Sequence, residues 1–292
     1  PELVAAREAG IPVLKRAAAL GAVVNEGRVV AIAGTHGKTS TTAVTVRVLR
    51  EAGLEPTGLV GGTVAEWNGN LHVGGDLYVV EADEYDRSFH QLAPDVAVVT
   101  NLEADHLEIY GSLDGVLEGF RTFLGGLRQG GRAVICADDA GAASLVTSVG
   151  DAALTYGTSA GAQLRAVDVV SGPEGVRFRV FEEGEDRGEA TLPTPGLHTL
   201  RNALAGAAVA RILGADWESI RRGWAAHQGV QRRFDRIGSA DGVEVIDDYA
   251  HHPTEIAATL AAAREAYPAR RIVAVFQPHL YSRTRDFADA FG

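Results

Sequence analysis

Val29-Val-Ala-Ile-Ala33 runs directly into Gly34-Thr-His-Gly-Lys-Thr39, and Ser40–Gly53 follows with the length and periodicity of a helix. A continuous apolar run of this kind is a strand buried on both faces, as in a parallel sheet. Strand, glycine loop and helix in that order form a phosphate-cradling unit. The common version of the loop has four residues between its glycines, and here only Thr35 and His36 intervene. The physical requirement is unchanged: Gly34, Thr35, His36 and Gly37 let backbone N–H groups curl around phosphates. The helix that opens near Ser40 adds a favourable dipole. Lys38 then supplies a charge to the β/γ-phosphates and the Thr39 hydroxyl a ligand for Mg²⁺, so the expected cofactors are ATP and Mg²⁺. A glycine-rich turn with a surface lysine is the plain alternative, and it leaves the flanking strand and helix unexplained.

Outward from this unit, Leu77–Glu81, Val96–Thr100 and Ala133–Cys136 read as further strands, and Leu113–Leu127 and Leu200–Leu213 as helices. Such alternation predicts an α/β fold: a central P-loop-type, mostly parallel sheet flanked by helices. Between Gln163 and Thr191 short alternating segments predict an antiparallel insertion or edge. A second Rossmann-like α/β unit begins near Gly229, with a strand at Gly242–Ile246, a helix at Pro253–Ala266 and another buried strand at Arg271–Phe276. Residues 1–24 read as a helix, a short strand at Ile11–Leu14 and a helical segment to about Leu20. The expected organisation is therefore 1–24 as the tail of an upstream domain with its linker, 25–228 as the ATP-binding domain, and 229–292 as an incomplete carboxy-terminal domain. Opening and closing within helical patterns, the chain reads as a fragment.

Composition agrees with this picture. At about 150 residues per domain, 292 residues suggest two domains, and 46% hydrophobic with 22% charged residues is ordinary globular usage. A net charge of −11 gives no basic face for nucleic acid. No apolar run approaches the ~20 residues of a membrane helix, so neither nucleic acid nor membrane insertion is expected. The single cysteine, Cys136, fits a buried strand thiol and a reducing cytosol. Lysine occurs only at 15 and 38 among 27 basic residues, which makes one retained in a glycine loop more telling.

Two acidic motifs lie just past apolar strands, where ligands of open parallel sheets bind. Glu81-Ala-Asp-Glu-Tyr-Asp86 offers oxygen ligands suited to Mg²⁺. Thr100-Asn-Leu-Glu-Ala-Asp-His106 offers Asn101, Glu103, Asp105 and His106 at the same sheet edge. Further along come Gly196-Leu-His-Thr-Leu-Arg-Asn202, Gly229-Val-Gln-Arg-Arg-Phe234, Asp247-Asp-Tyr-Ala-His-His-Pro253 and Gln277-Pro-His-Leu-Tyr-Ser-Arg283. Each alone is an unremarkable polar cluster.

In combination and in this order, GTHGKTSTT, EADEYDRSF, VVTNLEADH, QRRFDRIG, DDYAHHPTE and FQPHLYSRT resemble the Mur ligases, ATP-dependent amide-forming enzymes of peptidoglycan precursor synthesis. The resemblance spans essentially the whole chain. It implies three domains that bind, in order, a UDP-sugar, ATP and the incoming amino acid, with UDP-N-acetylmuramate and L-alanine as substrates. It assigns Thr39 and Glu81 to one Mg²⁺ and Glu81 with His106 to a second. It places Asn202, Arg233 and Asp248 at the nucleotide, and Asn101, His251, His279 and Arg283 at the substrates. Lys38, Glu81, His106, Arg233 and His251 are then the catalytic set. Several members hold the second Mg²⁺ with a carbamylated lysine, and no lysine beyond Lys38 exists here to do so, which fits the L-alanine-adding branch. Two departures stand out. Thr199 follows His198 where asparagine is usual, and Tyr85 replaces a frequent serine, as in the recycling branch that adds a tripeptide to UDP-N-acetylmuramate. That branch is one alternative, and a P-loop module that holds nucleotide without ligating anything is another.

Overall fold

In the computed structural model of the chain, which describes residues 1–291, the apolar runs become strands and the amphipathic or alanine-rich runs become helices. The strands are β1 (Arg28–Ala33), β2 (Pro56–Val64), β3 (Gly69–His72), β4 (Leu77–Glu81), β5 (Val96–Val99) and β6 (Arg132–Cys136), then β7 (Ala153–Gly157), β8 (Leu164–Gly172), β9 (Gly175–Glu182), β10 (Glu185–Leu192), β11 (Asp235–Ala240) and β12 (Val243–Asp247). Five helices matter most: α1 (Lys38–Glu51), α2 (Leu113–Gly125), α3 (Leu197–Ile212), α4 (Trp217–Ala225) and α5 (Pro253–Ala266). One sheet runs β10-β9-β8-β7-β6-β5-β1-β4-β2-β3, and β11 with β12 forms a separate hairpin.

The stretch from β8 through β2 is parallel, with β3, β9 and β10 added antiparallel at the two edges. β1 lies between β4 and β5, and Val29–Ala33 are fully buried, which is why this strand is an unbroken apolar run. α1 packs against α3 and α4. α3 is buried along most of its length and built from small residues. A Cβ on Gly206 would sit 3.0 Å from Thr45 Oγ1, so alanine and glycine are what permit this approach. No described helix is long and apolar enough to cross a membrane.

The mostly parallel sheet, the antiparallel edge at 164–192 and the helix at Pro253–Ala266 match the sequence reading. Two expected strands do not form. Ile11–Leu14 is irregular and exposed. Arg271–Phe276 pairs with nothing among the described residues; Val273 is 70% and Val275 96% exposed, so its apolar character does not reflect burial here. An apolar run becomes a strand only beside a partner edge, and β11 and β12 pair with each other instead. β2, β3, β7 and β11 were not expected. β2 is glycine-rich because neighbours crowd it: a Cβ on Gly58 would meet Val46 at 2.7 Å, and one on Gly61 the Glu81 carboxylate at 3.3 Å.

Candidate active site

Parallel register sets Ile32 beside Glu81 and Ala33 beside Val99, so β1, β4 and β5 discharge their following loops at one edge of the sheet. This is where the strand order switches direction, the usual crevice of an open α/β sheet. Both loop glycines are obligatory. Gly34 has φ 139° and a Cβ there would strike Thr100 Oγ1 at 2.0 Å; Gly37 has φ 81° and its Cβ would meet Asn202 Oδ1 at 2.7 Å.

The loop backbone is clamped from β5. Asn101 O accepts from Thr35 N, Asn101 Oδ1 accepts from His36 N at 2.8 Å, and His36 O accepts from Thr100 Oγ1 at 2.7 Å and Asn101 Nδ2 at 3.0 Å. Asn101 was expected at the substrate, but its side-chain amide holds the loop instead.

Lys38 opens α1 and is mostly shielded from solvent, its side chain 13% exposed. Its Nζ donates to Gly34 O at 2.7 Å and to both oxygens of Glu84, at 3.0 and 2.8 Å. Burial alone would depress the ammonium pKa, but the Glu84 charge and hydrogen bonds override it and hold the pKa above the ordinary lysine value. Beside it the Thr39 hydroxyl donates to Glu81 Oε2 at 3.0 Å, and Gly61 N donates to the same oxygen at 2.7 Å. A hydroxyl and a carboxylate in contact beneath a phosphate loop form the oxygen donor set that Mg²⁺ selects, so Thr39 and Glu81 fit that ion. His106 is turned elsewhere. Its ring lies 3.8 Å from Asp105 and 3.5 Å from Glu108, edge-on to Tyr85, and no contact joins it to Glu81 among the described residues.

A cavity of ≈ 220 Å³ opens behind the loop, and its lining includes His36, Ser40, Asn202, Arg233, Asp248 and Glu255. Asn202, Arg233 and Asp248, the three residues expected at the nucleotide, thus share one chamber with the loop. Asp248 already accepts from Phe234 N at 2.8 Å and Ala250 N at 2.7 Å, so it also shapes the turn that carries Arg233. The Arg233 guanidinium stacks on Tyr249 and lies 3.9 Å from Glu255.

Three of the expected substrate residues, His251, His279 and Arg283, gather at one side. His251 and His279 approach ring to ring at 6.3 Å. Arg283, only 7% exposed, pairs with Asp105 at 3.2 Å, and its Nε is a buried donor without a partner. The last motif of the chain therefore docks onto the β5 loop.

Four carboxylates carry more of the site than the sequence disclosed. Glu84 holds Lys38. Glu103 and Glu255 both face His36. Asp138, past β6, accepts from Thr158 N and Oγ1, Ser159 N and Oγ, and Arg201 Nε. Burial works against its ionisation, but these donors keep its carboxyl far below the usual range. The cue that exposed Glu81, acid just beyond an apolar strand, marks Asp138 equally.

Residues 32–210 match the model of the Mur ligase middle domain, and residues 232–292 that of the Mur ligase glutamate ligase domain. The chain is 44% identical over 292 residues to the UDP-N-acetylmuramate–L-alanine ligase of Salinibacter ruber, covering 100% of itself and 62% of that protein. The corresponding ligase of Acidothermus cellulolyticus is 47% identical over 296 residues, with 62% of it covered. The crystal structure of the UDP-N-acetylmuramate–alanine ligase of Thermotoga maritima superposes with a TM-score of 0.85 at 31% identity, over 100% of this chain and 66% of that one. A murein peptide ligase from Psychrobacter arcticus gives 0.71 at 25% identity, over 95% and 63%. The chain thus spans 62% of the length of the first two relatives. With one family model covering most of its length and relatives 44–47% identical across the whole chain, the chain belongs to the Mur ligase family.

Proposed function

We propose that this chain is the ATP-handling core of a ligase that joins UDP-N-acetylmuramate to L-alanine in peptidoglycan precursor synthesis, in the cytosol. The observation that carries the reading is the Thr39–Glu81 contact beside the Glu84-paired Lys38 at the mouth of β1 and β4. Relatives named for the L-alanine reaction match over the whole chain at 42–47% identity, and the murein peptide ligase at 25%. Those values favour L-alanine over the tripeptide. The docking of Arg283 onto the β5 loop disfavours a module that only holds nucleotide. We assign residues 25–228 to the nucleotide domain, 229–292 to the amino-acid domain and 1–24 to the end of a UDP-sugar domain.

The lactyl carboxylate attacks the γ-phosphorus, ADP leaves, and the alanine amine then displaces phosphate from the acyl phosphate. Phosphoryl transfer needs positioning and charge neutralisation more than covalent help. Lys38 would exchange Glu84 for phosphate oxygens, leaving its charge where the γ-phosphate's negative charge grows. Mg²⁺ held by Thr39 and Glu81 would supply further neutralisation when bound. Arg233, on the cavity wall, is suited to bridge phosphate oxygens, and Asn202 and Asp248 to contact the nucleoside. The unpartnered Nε of Arg283 is placed for an amino-acid carboxylate.

His251 can take the proton that the attacking amine loses. Burial lowers its pKa, and its Nδ1 lies 2.9 Å from Tyr249 O, an acceptor only. That contact puts the imidazole proton on Nδ1 and leaves Nε2 free to accept.

The test uses ¹⁸O in the carboxylate of UDP-N-acetylmuramate, supplied to the whole protein with ATP and L-alanine. Label appearing in the released phosphate supports the acyl-phosphate route; unlabelled phosphate beside amide product excludes it.

A further inference from the structure

His36 stands in the phosphate loop, yet its ring faces away from the loop. Its backbone is fixed on both sides by Asn101 and Thr100, so the side chain has a set direction. Nδ1 lies 3.2 Å from Glu255 Oε1 and Nε2 lies 3.4 Å from Glu103 Oε2. Ionised carboxylates only accept, so both ring nitrogens carry protons and the ring is a cation. Burial opposes that charge, but the hydrogen bonds and charges of Glu103 and Glu255 outweigh it and raise the pKa to about 9.

Each carboxylate does a second job. Glu255 caps α5 by accepting from His251 N at 3.0 Å and His252 N at 3.3 Å, and it lies 3.9 Å from Arg233. Glu103 accepts from the Thr254 hydroxyl at 2.8 Å, and its own N–H donates to Thr35 Oγ1. His252, whose ring centroid is 4.7 Å from that of His36, is held neutral by burial and by the neighbouring cation. One cation thus ties the phosphate loop to the start of α5, 219 residues away.

We propose that His36 is a positioning residue: as an imidazolium bridging Glu103 and Glu255, it docks the entry of α5 on the phosphate loop and so sets His251 and Arg233 against the bound nucleotide. The kinetic consequence rests on the ligase reading; the contact itself does not. A metal ion is the competing occupant, because ligating atoms of His36, Glu103 and His252 lie within 4.8 Å of one another. It would need an unprotonated His36 nitrogen, which the carboxylates facing both ring nitrogens disfavour.

The bridge is fully present below the ordinary histidine pKa of 6.5 and is lost as pH rises through about 9. At the acid end it fails as Glu103 and Glu255 are protonated, at their lowered values.

The experiment takes the whole protein, its His36→Gln and Glu255→Gln variants and the double variant. Histidine ¹⁵N titration of the wild type should show His36 titrating near 9, and in Glu255→Gln moving back toward 6.5. With UDP-N-acetylmuramate and L-alanine, kcat/KM for L-alanine should fall about 10- to 100-fold in either single variant, the worth of one charge-assisted hydrogen bond. The double variant should be no worse than the poorer single. The alkaline limb near pH 9 should vanish in His36→Gln. A wild-type His36 titrating near 6.5, strictly additive losses, or Zn²⁺ bound at one equivalent with loss of the His36 signal would overturn the proposal. Should no acceptor stimulate phosphate release, the ligase reading fails, while the titration and the ADP affinity of the variants still decide the bridge.

Discussion

At the scale of single residues the site is organised around Lys38 and the carboxylates near it. Lys38 is 13% exposed and Glu84 4%, so removing the lysine strands an acid in the interior. Lys38→Ala should abolish nucleotide-driven phosphate release and destabilise the fold by about 3–5 kcal/mol in denaturant titrations. Adding Glu84→Gln should recover much of the stability and none of the activity. Recovery of activity would show that the lysine serves the fold alone. Gly34→Ala should cost about 1–3 kcal/mol through its backbone conformation, with further loss from the collision with Thr100, and should lose nucleotide affinity. Lys38, Thr39 and Glu81 were legible in the sequence because each follows an apolar strand by a residue or a loop. Glu84 was not, since nothing within Glu81-Ala-Asp-Glu-Tyr-Asp86 says which carboxylate turns toward the lysine. His106 was expected to join Glu81, and a left-handed backbone at φ 53° aims it at Tyr85 and Asp105 instead.

At the scale of elements, burial on both faces is what made β1, β4, β5 and β6 readable. The glycine-rich β2 and the half-exposed β7 carry no such apolar signature, because close neighbours or solvent replace side-chain packing. Arg271–Phe276 shows the converse: apolar composition without a pairing edge gives no strand. α5 was legible to its ends because Pro253 at its first position and Glu255 two residues on are strong start signals. What sequence could not reveal is that Glu255 also receives His36. The α1–α3 contact allows a direct check. Gly206→Leu inserts bulk against Thr45 and should cost about 1–3 kcal/mol by overpacking, lowering Tm, with Gly206→Ala much milder. Equal, negligible effects of the two substitutions would show that the helices can part freely.

At the scale of the whole molecule, the loop, the β5 clamp and α5 enclose ≈ 220 Å³, below the roughly 300–1,000 Å³ of ordinary ligand pockets. A nucleotide entering there meets the start of α5, which the His36 bridge ties to the loop. Hydrogen exchange along 253–266 should change on adding ADP and Mg²⁺. ADP at about 100 times its Kd should stabilise the fold by about 2.7 kcal/mol, and that gain should be absent in Lys38→Ala. The measurement that bears most directly on the account is phosphate release from ATP by the whole protein and its Lys38→Ala variant, with UDP-N-acetylmuramate and either L-alanine, the tripeptide or no acceptor. Release that requires both the sugar and L-alanine, and disappears in the variant, is the predicted result. Release that needs the tripeptide, or ATP binding that no acceptor converts into turnover, would contradict it.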